Sequence, residues 1–145
     1  MKKILFLLLL LLPIMSYSQI MIDDVGTGWK SKVEQALLVI QNNDPKTYDM
    51  VKNHCKKISY LVSTFSTTQN GDTVLITTND MKANSINNIA AIIVHESFHL
   101  KVLHDNVKLS EQYEEFMAYE VELNFLEKIP NVEQWLINNA KNKKG

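Results

Sequence analysis

The sequence predicts a single α+β domain, and three observations lead to this class. Stretches with helical apolar spacing lie towards both ends of the chain. A stretch rich in β-branched and aromatic residues separates them, over residues 58–78. The chain has 145 residues, which suits one domain with a core of its own. Helices and strands segregated along the chain in this way are typical of the α+β class.

Residues 1–18 are predicted to be a targeting segment that is not part of the fold. A short basic start precedes an apolar run of about 12 residues, and Ser16 and Ser18 then have the spacing that a signal peptidase reads. We expect cleavage between Ser18 and Gln19, export to the periplasm or the medium, and one mature domain over residues 19–145. The alternative is a membrane anchor, but the run is shorter than the roughly 20 residues of a spanning helix.

Charge argues against a nucleic-acid partner, and the cysteine content excludes an internal disulfide. The chain has 15 basic residues, all of them Lys, against 16 acidic residues, and its net charge is −1. Without the two lysines of the targeting segment the balance is 13 against 16, or −3. No basic stripe is present, so we expect no nucleic-acid partner. The only cysteine is Cys55, so the fold depends on no internal disulfide, and we expect Cys55 to be a small buried residue.

The first half of the mature chain predicts two helices. Residues 19–28 end in Gly-Thr-Gly and indicate a loop. Apolar residues then recur at helical spacing over residues 29–43. Asp44 followed by Pro45 is typical of a helix start, because proline suits the first helical position. A shorter second helix is therefore expected over about 45–56.

The period then changes to that of strands. Residues 58–68 and 73–78 are rich in β-branched and aromatic residues, and Asn70-Gly71 lies between them. Asn-Gly is a strong hairpin signal because both residues tolerate the backbone conformation of a tight turn. We therefore expect these two segments to pair as antiparallel strands.

Three helices are predicted in the second half. Ser85 or Asn84 is the expected cap of a helix over about 86–104, whose apolar residues occupy most sides and so indicate a central position in the core. A second helix is expected over 111–128, capped by Ser110, and a last one over about 132–140.

Two histidines and a glutamate interrupt the apolar run of the central helix. His95 and His99 are four residues apart, so their side chains project from one face of the helix and can hold one Zn²⁺. Glu96 points about 100° away from His95 and can reach a water molecule without being a ligand. The burial of two histidines and a glutamate in an apolar helix costs free energy unless these side chains are paired or bind a metal. The spacing is H-E-x-x-H, which is typical of zinc peptidases.

A catalytic zinc takes three protein ligands, so a third ligand is expected downstream. On the helix over 111–128, Glu111, Glu115 and Glu122 share a face, whereas Glu114 is shifted by one step and Glu120 points elsewhere. The spacing leaves Glu111 and Glu114 open as third ligands beside Glu115.

This combination resembles the gluzincin-type zinc metallopeptidases, in which H-E-x-x-H is followed by a glutamate on a later helix. Their second motif, E-x-x-A, corresponds to Glu115–Ala118, where the small alanine lets the two helices approach. The resemblance covers residues 58–128 and implies a small zincin-like domain with His95, His99 and Glu115 as ligands of Zn²⁺. It also implies that Glu96 is the catalytic base that hydrolyses a peptide or protein substrate.

Two departures from the family pattern leave alternatives open. Tyr119 stands where many members have an aspartate that supports a ligating histidine, and Glu111 and Glu122 are the candidates to replace it. Other zincins take the third ligand ten residues after the first histidine, which is Asp105 here. Those members have a glycine at the seventh residue after the first histidine, because the chain must turn sharply there. This chain has Val102 at that position.

Two further parts of such a site are expected. Tyr113, Tyr119 and His104 are the candidate donors to the oxygen that becomes negative during hydrolysis. In zincins an edge strand beside the active helix binds extended substrate, and residues 73–78 are the candidate by resemblance.

Two other classes of function remain open. One is a secreted, non-catalytic binding domain that zinc stabilises. The other is a helical interaction protein without a metal.

Overall fold

The structure, a computed structural model, describes residues 19–69 and 71–145, and it leaves out the side chains of residues 68 and 69. The predicted export signal over residues 1–18, and Asn70 of the predicted turn, lie outside the described residues. In chain order the elements are β1 (Met21–Ile22), α1 (Trp29–Asn43), α2 (Pro45–His54), β2 (Lys57–Leu61), β3 (Thr67–Gln69), β4 (Thr73–Thr77), α3 (Thr78–Met81), α4 (Ile86–His104), α5 (Glu111–Leu126) and α6 (Gln134–Lys144). The mixed helix and strand content confirms the α+β prediction.

The strands form one four-stranded sheet in the order β1-β2-β4-β3. β3 and β4 pair antiparallel, as the Asn70-Gly71 signal predicted, and Gly71 has the left-handed φ of 73° that such a turn requires. The prediction that all of residues 58–68 form one antiparallel partner is wrong. β2 instead runs parallel to β4, with Ile58 opposite Val74, and residues 62–66 form a loop before β3. Four of the five residues of β4 are buried, as is typical of a strand in the interior of a sheet.

The edge of the sheet therefore differs from the expectation. Residues 73–78 were the candidate edge strand, but β4 lies between β2 and β3, and both of its sides are paired. β3 is the edge strand on this side. The expected loop over residues 19–28 also contains a short strand, β1, which pairs parallel with β2 and forms the other edge. A one-turn helix, α3, follows β4 directly, at a place where the sequence predicted no helix.

The helix starts follow the predicted caps. The Asp44 side chain accepts a hydrogen bond from the Thr47 amide, and the side chains of Ser85 and Ser110 do the same for α4 and α5. The first and fourth helices have their predicted bounds, whereas α2 and α5 each end two residues early. α6 starts and ends later than expected, so the three last lysines of the chain, Lys141, Lys143 and Lys144, belong to the helix.

α4 lies at the centre of the core and positions the site. It packs against α1, α2, α5 and the sheet, and its residues from Ile89 to Val94 are buried except for the half-buried Ile92. Cys55 is buried, as predicted. Within residues 19–69 and 71–145, no helix has both the length and the apolar character needed to span a membrane.

Candidate metal centre

The H-E-x-x-H residues lie on the part of α4 that faces α5. His95 is 8% exposed and Glu96 is 9% exposed, so both are buried on this helix. The Nε2 atoms of His95 and His99 face each other at 3.2 Å, as their spacing of four residues predicted. α4 therefore holds two imidazole nitrogens close together at the wall of a cleft.

Glu115 completes a group of three. Its carboxylate oxygens lie 3.5 Å from His95 Nε2 and 3.2 Å from His99 Nε2. Ala118, one turn further along α5, is fully buried, and no larger side chain separates α5 from its neighbours there. Among the described residues, this is the one group of three His, Cys, Asp or Glu side chains whose ligand atoms all lie within 4.8 Å.

The structure does not bring the other candidates to this point. Asp105 is the C-cap of α4, and its carboxylate binds Lys101 Nζ at 2.5 Å. Glu111 lies exposed in the first turn of α5. Glu114 contacts the other nitrogen of His99, so it lies behind the ring.

Both histidines have a carboxylate behind them. Glu122 contacts His95 Nδ1 at 3.0 Å, and Glu114 contacts His99 Nδ1 at 2.7 Å. A carboxylate accepts a hydrogen bond, so both Nδ1 atoms are the donors and carry hydrogen. Glu122 thus occupies the supporting position for which the sequence suggested Glu111 or Glu122. The equivalent contact of Glu114 was not predicted, because it depends on how α5 packs against α4.

This donor set fits a zinc ion. With hydrogen on Nδ1, each neutral imidazole presents the lone pair of Nε2, so two lone pairs and one carboxylate converge without a hydrogen between them. Four ligands at about 2.0–2.1 Å from a tetrahedral zinc are about 3.3–3.4 Å apart. The two Nε2 atoms are 3.2 Å apart, and each faces a different oxygen of Glu115, at 3.5 Å for His95 and 3.2 Å for His99, so the three groups lie within reach of one ion.

Glu96 is 9% exposed, and its side chain makes no hydrogen bond to another described residue. Burial raises the pKa of Glu96 to about 7, an effect that nearby His95 opposes and Glu115 increases. Glu96 lines two neighbouring cavities, of about 480 and 390 Å³, which therefore meet at its side chain.

Of the three candidate donors, Tyr119 is the one at the centre. Its ring lies 4.4 Å from the His95 ring, centroid to centroid, and it lines the larger cavity with Glu96. Burial raises the pKa of Tyr119 to about 12, so its hydroxyl keeps its proton. Tyr113 instead stacks on Phe116 at the surface, and His104 packs against the ring of His54.

The cleft has walls that the sequence did not indicate. Ser66, the last residue of the loop before β3, and Thr67, the first residue of β3, line the smaller cavity with Glu96 and His99. Asp80 of α3 accepts hydrogen bonds from Ser66 and from the backbone and hydroxyl of Thr77, so it fixes the approach to this strand. Trp135, Asn139 and Lys143 of α6 line the larger cavity. Their spacing of four residues was the sequence signal that could have indicated a shared face.

Comparisons with known proteins found no match, either to a family model or to a curated protein or solved structure. The resemblance to gluzincins therefore depends on the motifs and on the geometry of the site.

Proposed function

We propose that this protein is a zinc-dependent peptidase with a zincin-like arrangement of its active helix and edge strand. The observation that carries the proposal is Glu96, a buried carboxylate without a hydrogen-bonding partner among the described residues. It lies on the same helix as two of the three convergent donors His95, His99 and Glu115. Buried ionisable groups without structural partners are typical of sites where the group reacts.

The zincin-like arrangement is supported by the position of β3. This strand is the antiparallel edge of an otherwise parallel sheet, and its first residue, Thr67, lines the cleft with His99. An extended substrate could pair with the free side of such a strand through its backbone. The expected role of residues 73–78 therefore passes to residues 67–69.

His95, His99 and Glu115 would hold the zinc ion, and Glu122 and Glu114 would orient the two imidazole rings. Zinc, when bound, supplies a Lewis acid that lowers the pKa of water and polarises the carbonyl of the substrate.

Glu96 would act as the general base. It takes a proton from the water that attacks the peptide carbonyl carbon, and it returns that proton to the nitrogen as the carbon–nitrogen bond breaks. Tyr119 would donate a hydrogen bond to the carbonyl oxygen while that oxygen carries negative charge.

A non-catalytic domain stabilised by zinc is the second candidate. A structural zinc site takes four protein ligands, whereas three converge within the described part of this chain. Such a domain would also give no role to Glu96. For these reasons we favour the peptidase.

The test combines metal content with peptide cleavage, measured on the mature protein. We expect about one zinc per chain in wild type, its loss in His99→Ala, and its retention in Glu96→Gln with a 10²- to 10⁴-fold loss of cleavage rate, the range typical of a lost general base. The matched control is Glu127→Gln, because Glu127 is an exposed glutamate that follows α5 and contacts Lys141. It should change neither the zinc content nor the cleavage rate. Zinc-free wild type under metal-replete conditions would refute both candidates, and a fully active Glu96→Gln would refute the peptidase.

We also propose that the mature chain is exported. N-terminal sequencing of protein from the extracytoplasmic fraction should begin at Gln19. Recovery of an intact N-terminus from the cytoplasm would contradict this.

A further inference from the structure

The larger cavity continues from Glu96 as a groove between two helices. On α4 the lining residues Asn88, Ile92 and Glu96 are four apart, and on α6 the lining residues Trp135, Asn139 and Lys143 are also four apart. Residues at this spacing share one helix face, so each helix presents a continuous stripe. We call the space between these six residues the α4–α6 groove.

The direction of the groove follows from contacts at the two ends of α6. Glu133, which precedes α6, binds the side chains of Ser85 and Asn87 at 2.6 Å each, so α6 begins beside the start of α4. Lys144, at its other end, pairs with Glu120 and lies 5.2 Å from the Phe116 ring centroid on α5. The groove therefore runs from the metal centre, at its Lys143 end, towards the start of α4, at its Trp135 end.

The length of the groove suits a short extended segment. The eight residue-to-residue steps of helix from Trp135 to Lys143 rise about 12 Å. An extended chain advances about 3.3 Å per residue, so the groove is long enough for three to four residues. Since one end lies at Glu96, these residues would be on one side of the bond that is cleaved.

The side chains in the groove suit a peptide backbone. The side chain of Asn139 has no hydrogen bond to another described residue, and Asn88 donates its side-chain amide to the backbone oxygen of Asp80 but makes no hydrogen bond to a described residue through its side-chain oxygen. Asparagine amides offer both donors and acceptors, which match the N–H and C=O groups of an extended chain. Lys143 is the one lysine among the described residues that line the two cavities, and Asp80, Glu96 and Glu122 are carboxylates of the larger one, so its lining is largely polar.

Two aromatic side chains in this polar lining have no structural explanation. Trp135 is 47% exposed and Phe65, on the loop before β3, is 70% exposed, and both line the same cavity. Exposed aromatic rings beside a cavity are typical of ligand contacts, because they supply apolar area at a low entropic cost. Trp135 lies at the end of the groove that is distant from Glu96.

We propose that the α4–α6 groove binds an extended peptide, and that Trp135 selects a large apolar or aromatic residue three to four positions from the cleaved bond. The proposal rests on the peptidase function and names its substrate class. The enzyme would therefore cleave within peptides that are long enough to fill the groove, and it would act poorly on dipeptides and tripeptides.

The kinetic test uses one peptide that the enzyme cleaves, with truncated forms that lack the third and fourth residues on either side of the cleaved bond. We expect truncation on one side, and not the other, to lower kcat/KM about tenfold in wild type. In Trp135→Ala the long and the truncated peptides should be cleaved at equal rates. Leu38→Ala, a truncation of another exposed apolar residue that lies outside both cavities, should behave as wild type.

A binding measurement separates this proposal from the peptidase function. The chain has two tryptophans, and Trp29 is 1% exposed in the core, so a change in emission on ligand binding reports Trp135. The long peptide should shift the emission of zinc-loaded Glu96→Gln, and the truncated peptide should not. Equal kcat/KM for long and truncated peptides in wild type would overturn the groove and leave the peptidase intact. A shift in emission with the long peptide, found together with a wild type that cleaves neither the long nor the truncated peptide, would support the groove and refute the peptidase. A shift with an oligosaccharide but with no peptide would overturn the groove.

Discussion

Replacing Glu122 by glutamine tests whether the carboxylates behind the histidines support a metal. Glu122 lies 3.0 Å from His95 Nδ1, and its side chain is 9% exposed. Glutamine keeps the shape and an oxygen acceptor but removes the charge. The Nδ1–H of His95 would then lose a charge-assisted hydrogen bond in a buried site, and its Nε2 would become a weaker ligand.

The expected loss of zinc affinity is about 10- to 100-fold, or about 1.4–2.7 kcal/mol, which is the usual effect of removing such a partner. Glu114 provides an internal comparison, because it contacts His99 in the same way but its side chain is 26% exposed. Water can replace part of its interaction, so Glu114→Gln should lie at the low end of this range.

Zinc affinity can be measured by competition with a chromophoric chelator at fixed pH and ionic strength. Glu120→Gln is the control, since Glu120 is on the same helix and pairs with Lys144 at a distance from the histidines. If Glu122→Gln and Glu120→Gln bind zinc equally, the contact with His95 has no part in metal binding and the reasoning fails.

Three further predictions concern the ligand set, the helix packing and the acid stability. Glu115→Ala should lower zinc affinity by at least tenfold while Asp105→Asn retains it, and the reverse result in a chelator competition would move the third ligand to the end of α4. Ala118→Leu should reduce the free energy of unfolding by about 1–3 kcal/mol in urea and weaken zinc binding, because the fully buried site cannot accept a larger side chain without moving α5. Burial alone would raise the pKa of Asp44, but hydrogen bonds from Lys128 and Thr47 outweigh it and hold that pKa below its ordinary value of 3.8. The contribution of Asp44 is therefore present above pH 3.8 and is lost as pH falls through the lowered pKa, so wild type and Asp44→Asn should differ in urea stability at neutral pH and converge in acid.

Local signals predicted the helices well, whereas the sheet required information that no short segment contains. Ser85 and Ser110 cap helices through bonds that span three residues, so the sequence alone indicates where α4 and α5 begin. The parallel pairing of β2 with β4 joins residues 16 apart around an intervening loop and strand, with Ile58 opposite Val74. The Asn70-Gly71 signal predicts only the turn between β3 and β4. It contains no information about β2, which pairs with the other side of β4, so the sequence predicted one neighbour for β4 where the structure has two.

The same limit applies to the site. The spacing of His95 and His99 is a property of one helix, and their Nε2 atoms are close for that reason alone. Glu115 was reached through a resemblance, and the structure places it at the predicted point. The roles of Glu122 and Glu114 depend on the rotation of α5 about its own axis relative to α4, which the spacing of its glutamates does not fix.

The burial of this site gives a physical argument for a bound cation. In the absence of one, the two Nε2 lone pairs and the Glu115 carboxylate face each other at 3.2–3.5 Å and need extra protons between them. Burial opposes the protonation of His95, and Glu122, Glu96 and Glu115 favour it, so the protein surrounds this ring with negative charge. One divalent cation would satisfy all three donors at once, and the hydrogen bonds at both Nδ1 atoms already select the tautomer that leaves each Nε2 free to bind it. An arrangement selected only for stability would be better served by apolar side chains at these positions, since α4 is otherwise an apolar core helix. These contacts support the proposal that the polar residues of α4 bind a metal, and the same proposal gives Glu96, which none of these interactions requires, a role in the reaction.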